Sequence, residues 1–234
     1  LILFSCDSEK SYSPRPQMQA LTEINLKVDS SIQWHWMPCE VEMGAIKGLQ
    51  ARVKGRGGTS RRYRKHSFAL ELDESLSIGG LLSDDDWVLN ASVVDRTFMR
   101  NKFAYDLFVQ FGPNNLAPQS TFVNLYINNN YTGLYHLCHE INGGFLGINK
   151  YDTLAMVFEA PPIFYEKRLE KVRHPDNYYH QKYPRKEEKD FSSYLEEIRT
   201  FILQATDQEF AENIGEYFDL ENLIDWHLML LFSN

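Results

Sequence analysis

The sequence predicts an α+β fold, with strands in the first two thirds of the chain and helices in the last third. Two observations predict it. Up to Phe158, short stretches alternate apolar and polar residues, which is the period of half-buried strands. From Phe191 onward, apolar residues recur at helical spacing in three successive segments. Strands followed by helices favour an α+β arrangement over regularly alternating α/β units.

The composition is that of a globular protein with a sizeable core. The chain has 234 residues, of which 43% are hydrophobic, and a formal net charge of −8. Because nucleic-acid-binding domains are generally basic, we expect no nucleic-acid partner. No run of 18 apolar residues occurs, so the sequence predicts no transmembrane span. Three cysteines without a C-x-x-C pair favour neither a disulfide framework nor a zinc site.

The first residues resemble the end of a bacterial lipoprotein signal. An apolar stretch at 1–4 leads through Ser5 to Cys6, and a polar, proline-containing stretch follows at 8–16. We therefore predict a signal remnant and linker over 1–20, with a lipid on Cys6 that holds an exported protein at the cell envelope. The alternative is an ordinary buried strand that contains a cysteine by chance.

Residues 21–160 are predicted to form a strand-rich part. The alternation at 21–28 predicts a first strand. The stretch 30–42 contains two tryptophans followed by Pro38, which favours an edge strand. The following stretch 75–86 is rich in turn residues and is predicted to be a loop.

The functional prediction depends on residues 50–72, which read as strand, glycine turn, basic loop and strand. Glycines allow positive φ and close approach of backbone N–H groups to a ligand. Such N–H groups, with hydroxyls and cations beside them, suit phosphate oxygens. The spacing matches neither a Walker loop nor a dinucleotide fingerprint. The alternative is a plain hairpin with a solvated basic rim.

The acidic run Asp84–Asp86 was considered as a cation site. Carboxylate oxygens suit hard cations, but the spacing of a calcium-binding loop is absent. A solvated acidic loop explains the run equally well. We therefore predict no metal site in this sequence.

The remaining strand-rich part contains one helix and one hairpin. We predict a buried strand at 87–91, a helix at 94–111 and a hairpin at 121–137 that turns on three asparagines. Glu140 follows the hairpin. A further short strand is predicted at 154–158.

The last third divides into a charged excursion and a helical part. Residues 161–190 are rich in charges and tyrosines, and we predict either a lid that faces substrate or a mobile insertion. Residues 191–234 are predicted to contain three helices, the last one capped by Asp219 and buried because it is apolar nearly all round. That helix reaches the last residue without a glycine cap, so we expect an incomplete helical lobe.

Several motifs, taken in order, resemble the CotH kinase family, named for spore coat protein H. Each motif is weak alone, but the ordered set over residues 50–140 is specific. The matching segments are R-G-G-T-S at 56–60, K-H-S-F at 65–68, W-V-L-N-A at 87–91, D-R-T and R-N within 95–101, A-P at 117–118, and N-N-N-Y-T-G-L-Y-H-L-C-H-E at 128–140. Two residues depart from the family pattern: Gly58 replaces an asparagine, and His66 replaces a second lysine.

The resemblance implies a divergent protein-kinase-like fold and a phosphotransferase that uses ATP and Mg²⁺ to modify serine or threonine of a protein partner. It implies that Lys65 contacts phosphate and that Glu140 pairs with Lys65 or lies on the metal side, so these two are the candidate catalytic residues. The implied cofactor-binding residues are Arg56, Gly57, Gly58, Thr59, Ser60 and Lys65.

In the family, the catalytic and metal-binding aspartates belong to an N-x-D-x-x-x-x-N motif and a later D-x-D-like motif that follow the helix capped here by Asp219. Residues 219–234 contain neither motif. We therefore expect residues 1–234 alone to lack kinase activity. The alternative function is a non-catalytic surface or coat-type module of the same family, for which the abundant aromatic residues would suit protein or glycan contact. A carbohydrate-active domain is a third possibility, which no recognisable carboxylate pair supports.

Overall fold

The computed structural model describes residues 20–149, 151–168 and 175–233 of the chain. Within these residues, a closed seven-stranded barrel is followed by a small hairpin and helices. The predicted α+β class is therefore confirmed. The predicted lipid site at Cys6 lies outside the described residues, and the predicted domain boundaries stay a prediction.

The barrel is formed by strands that pair mostly with their sequence neighbours. The strand order is β1-β2-β3-β4-β5-β7-β6, and the parallel pairing of β1 with β6 closes the ring. Closure removes the free edges that an open sheet would expose. The strands are β1 (Thr22–Lys27), β2 (Met37–Met43), β3 (Ile46–Arg56), β4 (Ser67–Leu76), β5 (Asp84–Asn90), β6 (Ser120–Ile127) and β7 (Asn130–His139).

The core fills the inside of the barrel because alternate residues of each strand point inward. On β7, Tyr135 and Leu137 point into the core, whereas His136 and Cys138 point to the outer face. The outer face is therefore free to carry a site without disturbing the core. The largest side chains that are fully buried in the core include Ile24, Leu26, Val41, Val53, Leu70, Trp87, Leu89, Leu125, Tyr135 and Leu137.

Four α-helices accompany the barrel in the described residues. Helix α1 (Arg100–Phe111) packs over the outer face, where Tyr105 stacks on His136. The others are α2 (Ser192–Gln204), α3 (Asp207–Tyr217) and α4 (Leu220–Ser233). None of the described helices is both long enough and apolar enough to cross a membrane.

The start of α1 differs from the prediction. The helix begins at Arg100 instead of residue 94, because Asp95 holds a turn ahead of it. One carboxylate oxygen of Asp95 accepts from the backbone N–H of Thr97 at 3.0 Å, and the other accepts from that of Arg100 at 2.9 Å. The backbone of Phe98 has a φ of 61°, which is incompatible with a helix.

Two strand predictions were wrong in extent. The acidic run Asp84–Asp86 was predicted to lie in a loop but opens β5, where the Asp84 carboxylate accepts from the two following N–H groups. The predicted edge strand at 30–42 begins only at Met37 and is an interior member of the closed barrel. Both errors arose because barrel pairing, which is long-range, outweighed local turn chemistry.

The burial of the last helix was also predicted wrongly. Helix α4 is apolar nearly all round, yet the exposed fractions of Leu231 and Phe232 are each 63%. Helix α4 packs against α1 and contacts the turn after α1, where the side chain of Asn115 donates to the Asp225 carboxylate at 2.7 Å. Apolar composition therefore did not decide burial here.

The charged excursion contains ordered structure. Strand β9 (Gln181–Tyr183) lies within it and pairs with β8 (Val157–Phe158), which precedes it. Gln181 is buried, and its side chain donates to the carbonyls of Pro184 and Lys189 at 2.8 and 2.7 Å. The hairpin of β8 and β9 lies beside the barrel, since Val157, Phe158, Lys182 and Tyr183 share one cavity with residues of β5 and β7.

Candidate functional site

A cavity of about 700 Å³ lies between the outer face of the barrel and the β8–β9 hairpin. It opens where β3 ends, β4 begins and β7 ends. Its walls come from the glycine turn, α1, the segment that follows β7, and the hairpin, including Arg56, Gly57, Tyr105, Glu140, Phe158 and Lys182. Elements far apart in sequence therefore meet at one pocket.

The floor of the cavity is apolar. Val88 and Cys138 are cross-strand partners on β5 and β7 and present their side chains outward. Burial raises the pKa of the Cys138 thiol to about 12, so the thiol stays protonated and uncharged. Phe158 and Tyr183 line the cavity from the hairpin side. Apolar and aromatic side chains on opposite walls suit a flat ring system.

The glycine turn forms one side of the mouth. Gly57 has a φ of +110°, and a Cβ on it would collide with the side-chain oxygen of Ser60. Gly58 differs, because its φ is −93° and a Cβ there would meet nothing within 4 Å. A short 3₁₀ helix, Thr59–Arg62, follows. Only Gly57 therefore has a conformation that requires glycine.

Two ion pairs lie at the mouth. Arg56 pairs with Glu140, and Lys182 on β9 pairs with Glu159. The hydrogen bond from Lys182 lowers the pKa of Glu159, and the positive charge of Arg56 acts in the same direction. The charges thus form one network that links β3, the segment after β7, and the hairpin.

The predicted ion pair between Lys65 and Glu140 is wrong. The Lys65 ammonium donates to the carbonyls of Ala91, at 3.1 Å, and Leu134. Leu134 precedes Glu140 by six residues on or just beyond β7, a span of about 20 Å along an extended strand. Arg56 occupies the position beside Glu140 because the β3–β4 register brings the end of β3 to the mouth.

The surroundings of Lys65 are those of a packed side chain. Its ammonium lies over the rings of Tyr135 and Phe98, at 4.3 and 4.9 Å from their centroids. Burial lowers the pKa of Lys65. Lys65 does not line the cavity, whereas Arg56, Gly57, Ser60 and Glu140 of the predicted site residues do.

Asp86 holds the segment after β7 in place through two hydrogen bonds. The sequence did not identify Asp86 as a site residue. The backbone N–H of Glu140 donates to the Asp86 carbonyl at 3.0 Å, and Asn142 donates to its carboxylate at 2.7 Å. Burial raises the pKa of Asp86. The position of Asp86 directly before the buried Trp87 was the available signal that it belongs to a strand.

Lys182, Glu159 and Tyr183 were also missed as individual site residues. For Lys182 and Tyr183 the only signal was the charged and tyrosine-rich character of residues 161–190, for which a substrate-facing lid was one of two predictions, and for Glu159 there was none. Nothing in the local sequence indicates that this segment contributes a strand to the pocket wall. Among the residues that the structure describes, no group of three or more His, Cys, Asp or Glu side chains could hold a metal ion.

Comparison with known proteins gives one match. The sequence model of the family described as CotH kinase protein matches residues 53–234, which include every wall of the pocket. No curated protein matches the chain. Since the family match covers most of the sequence and agrees with the ordered motifs of its first half, the chain belongs to the CotH kinase protein family.

Proposed function

We propose that the pocket binds ATP and that the protein acts as a phosphotransferase toward serine or threonine of a protein substrate. The observation that carries this proposal is the glycine turn with Arg56 at the mouth of a cavity with an apolar floor. Its volume, about 700 Å³, is in the range of pockets that hold small ligands and cofactors. Membership of the CotH kinase family supports the choice of nucleotide.

In this proposal the adenine ring lies between the Val88–Cys138 floor and the aromatic side chains of the hairpin, and the phosphates lie toward the glycine turn. Arg56 donates one N–H to Glu140 and keeps further donors for phosphate oxygens. Within the described residues, the N–H groups of Gly57 and Gly58 donate to no protein acceptor and are free for a ligand.

The order of elements supports the same proposal. In protein kinases a glycine-rich loop joins the first two strands, a lysine on the third strand contacts phosphate, and a helix follows. Here the glycine turn joins β3 to β4. Counted from β3, β5 is the third strand, and α1 follows it. Asn90 stands near the end of β5 and lines the cavity. We therefore propose that Arg56 contacts phosphate and that Lys65 stabilises the barrel.

Phosphoryl transfer in this family implies Mg²⁺. The carboxylates at the mouth, Glu140 and Glu159, are both paired with cations, and the described residues offer no larger set of ligands. We therefore assign no metal ligand and propose that Glu140 orients Arg56. Residues 1–234 are expected to bind ATP without turning it over, since they lack the family's two aspartate motifs.

Thermal unfolding in the presence of ATP tests the proposal. ATP is expected to raise the Tm of the wild-type chain and of Arg96→Ala, an exposed arginine that does not line the cavity, but not that of Arg56→Ala. An equal Tm shift in Arg56→Ala would show that Arg56 does not contribute to ATP binding. A phosphotransfer assay on residues 1–234 that gives clear turnover would contradict the expected lack of activity.

A coat-type interaction module is the second candidate function. One observation favours it: both cations at the mouth are neutralised by carboxylates of the protein itself, which reduces the attraction of the pocket for an anion. The same experiment separates the two functions. No Tm shift with ATP, with or without Mg²⁺, would favour the interaction module.

The family's association with spore coats is compatible with an envelope or exported location. We propose that a lipid on Cys6 anchors the protein there. Metabolic labelling with a clickable fatty acid in a bacterial host tests this. Preceded by a complete lipoprotein signal, the chain is expected to be labelled, and the same chain with Cys6→Ser is not.

A further inference from the structure

The outer side of β3 and the residues beside it form a continuous basic surface with two tryptophans. Residues 52, 54 and 56 of β3 point outward because Ala51, Val53 and Gly55 between them are buried. The 3₁₀ helix after the glycine turn adds further cations. We define the basic–aromatic face by Trp34, Trp36, Arg52, Lys54 and Arg61, because each of these three cations lies over one of the two tryptophan rings.

The tryptophans are held flat on this surface. The guanidinium of Arg61 lies 4.0 Å from the ring centroid of Trp34, and Lys54 lies 4.3 Å from that of Trp36. Trp34 also covers Gly55, where a Cβ would come within 2.8 Å of the ring. The face is therefore a built arrangement of stacked rings and cations, with 38% of Trp34 still exposed.

The charge of the face is largely uncompensated. Arg52 pairs with Glu71, but among the described residues none of the other cations of the face forms an ion pair with a carboxylate. The chain as a whole carries a net charge of −8, so this concentration of positive charge is local. The unpaired cations Lys54 and Arg61, each held over a tryptophan ring, suit a partner with several carboxylates.

The face is continuous with the mouth of the pocket. Arg56, Gly57 and Ser60 line the cavity, and Arg61 follows directly. A polypeptide that brings a hydroxyl to the mouth from this side has to cross the face. A membrane surface fits less well, because the rings are capped by cations and do not project as apolar anchors.

We propose that the basic–aromatic face docks an acidic stretch of the protein substrate, next to the residue that is modified. The proposal names the substrate class and rests on the proposed phosphotransferase function. It follows that carboxylates near the acceptor serine or threonine increase binding and that this binding weakens with rising salt.

Fluorescence anisotropy with labelled synthetic peptides tests the proposal. The probe is a serine flanked on both sides by glutamates, and the comparison peptide has lysines in place of the glutamates. The double variant Lys54→Gln/Arg61→Gln is expected to bind the acidic peptide about tenfold more weakly, since it removes two charges of the face. Arg96→Gln/Arg185→Gln removes the same charge outside the face and is expected to bind like wild type.

Nucleotide binding separates this proposal from the proposed function. Lys54→Gln/Arg61→Gln is expected to keep the Tm shift with ATP, and Arg56→Ala is expected to lose it while still binding the acidic peptide. If ATP does not raise the Tm of wild type but the acidic peptide binds through the face, the result supports the docking surface and contradicts the phosphotransferase function.

Three results would overturn the docking proposal. The first is equal binding of the acidic and basic peptides by wild type. The second is equal weakening in the face variant and the charge-matched control. The third is binding to vesicles of phosphatidylglycerol that depends on Lys54 and Arg61 while the acidic peptide does not bind, which would assign the face to a membrane surface.

Discussion

The guanidinium of Arg56 forms an ion pair with the carboxylate of Glu140, although the two residues lie 84 positions apart. The pair joins the end of β3, directly before the glycine turn, to the segment that leaves β7. Arginine has a planar fork of donors, so one contact to Glu140 fixes the group while other N–H groups stay available. This relationship is the reason we assign the phosphate contact to Arg56.

Arg56→Lys is the first test of this assignment. Lysine keeps the positive charge but cannot hold Glu140 and a phosphate in the same planar geometry. We expect ATP to bind about tenfold more weakly to Arg56→Lys than to wild type, as measured by isothermal titration calorimetry. Unchanged affinity would mean that charge alone, without the fork, accounts for binding.

Glu140→Gln is expected to act in the opposite direction. Glutamine retains an oxygen that accepts from Arg56, so the orientation of the guanidinium is kept, while the negative charge beside the phosphates is removed. ATP affinity in the same calorimetric experiment is therefore expected to rise severalfold. Weaker binding would indicate that Glu140 contributes its charge directly to the bound ligand, for example through a cation.

Lys65→Met tests the revised role of Lys65. The substitution leaves the carbonyls of Ala91 and Leu134 without their donor and removes the contacts to Phe98 and Tyr135. We expect the free energy of unfolding in urea to fall by about 1–3 kcal/mol, and the Tm shift caused by ATP to remain. If Lys65→Met folds but ATP no longer raises its Tm, Lys65 contributes to nucleotide binding.

Gly57→Ala and Gly58→Ala form a matched pair in the glycine turn. Only Gly57 has positive φ, and only there would a Cβ collide with Ser60. Gly57→Ala is expected to lower stability by about 1 kcal/mol or more and to weaken ATP binding, because the turn must rearrange. Gly58→Ala is expected to change neither quantity. Equal effects in the two variants would contradict the conformation of the turn.

The buried His136 is expected to make the free energy of unfolding depend on pH. Its ring is fully buried between Tyr105 and Phe122, and neither ring nitrogen has a hydrogen-bond partner in the described part of the chain. Burial lowers its pKa from 6.5 to about 4, with the charge of Lys102 contributing. The folded state therefore binds this proton less readily than the unfolded state does.

The sign of the effect follows from linkage. The stability associated with neutral His136 is complete above pH 6.5 and decreases as pH falls toward 4, by roughly 3 kcal/mol in total. Urea unfolding of wild type and His136→Phe over this pH range measures it. The variant is expected to lose less stability on acidification, and parallel pH profiles would show that another group is responsible.

The sequence alone was sufficient for the fold class, the family and most strands. The alternation at residues 21–28 and 50–72 and the asparagine turn at 128–130 are local signals, and the structure confirms the strands they predict. The ordered motifs over 50–140 identified the family that the sequence match then confirmed. These features depend on side-chain period and turn chemistry, which act between near neighbours.

Which residues meet was decided only by the tertiary structure. Six cations surround the glycine turn in sequence, and nothing local distinguishes Arg56 from Lys65 as the partner of Glu140. The β3–β4 register placed Arg56 at the mouth of the pocket and Lys65 against the carbonyl of Leu134. Likewise, only the pairing of β8 with β9 brought Lys182 and Glu159 to the pocket. Side-chain period fixes which face of a strand a residue occupies, but contacts between distant segments depend on the packing of the whole chain.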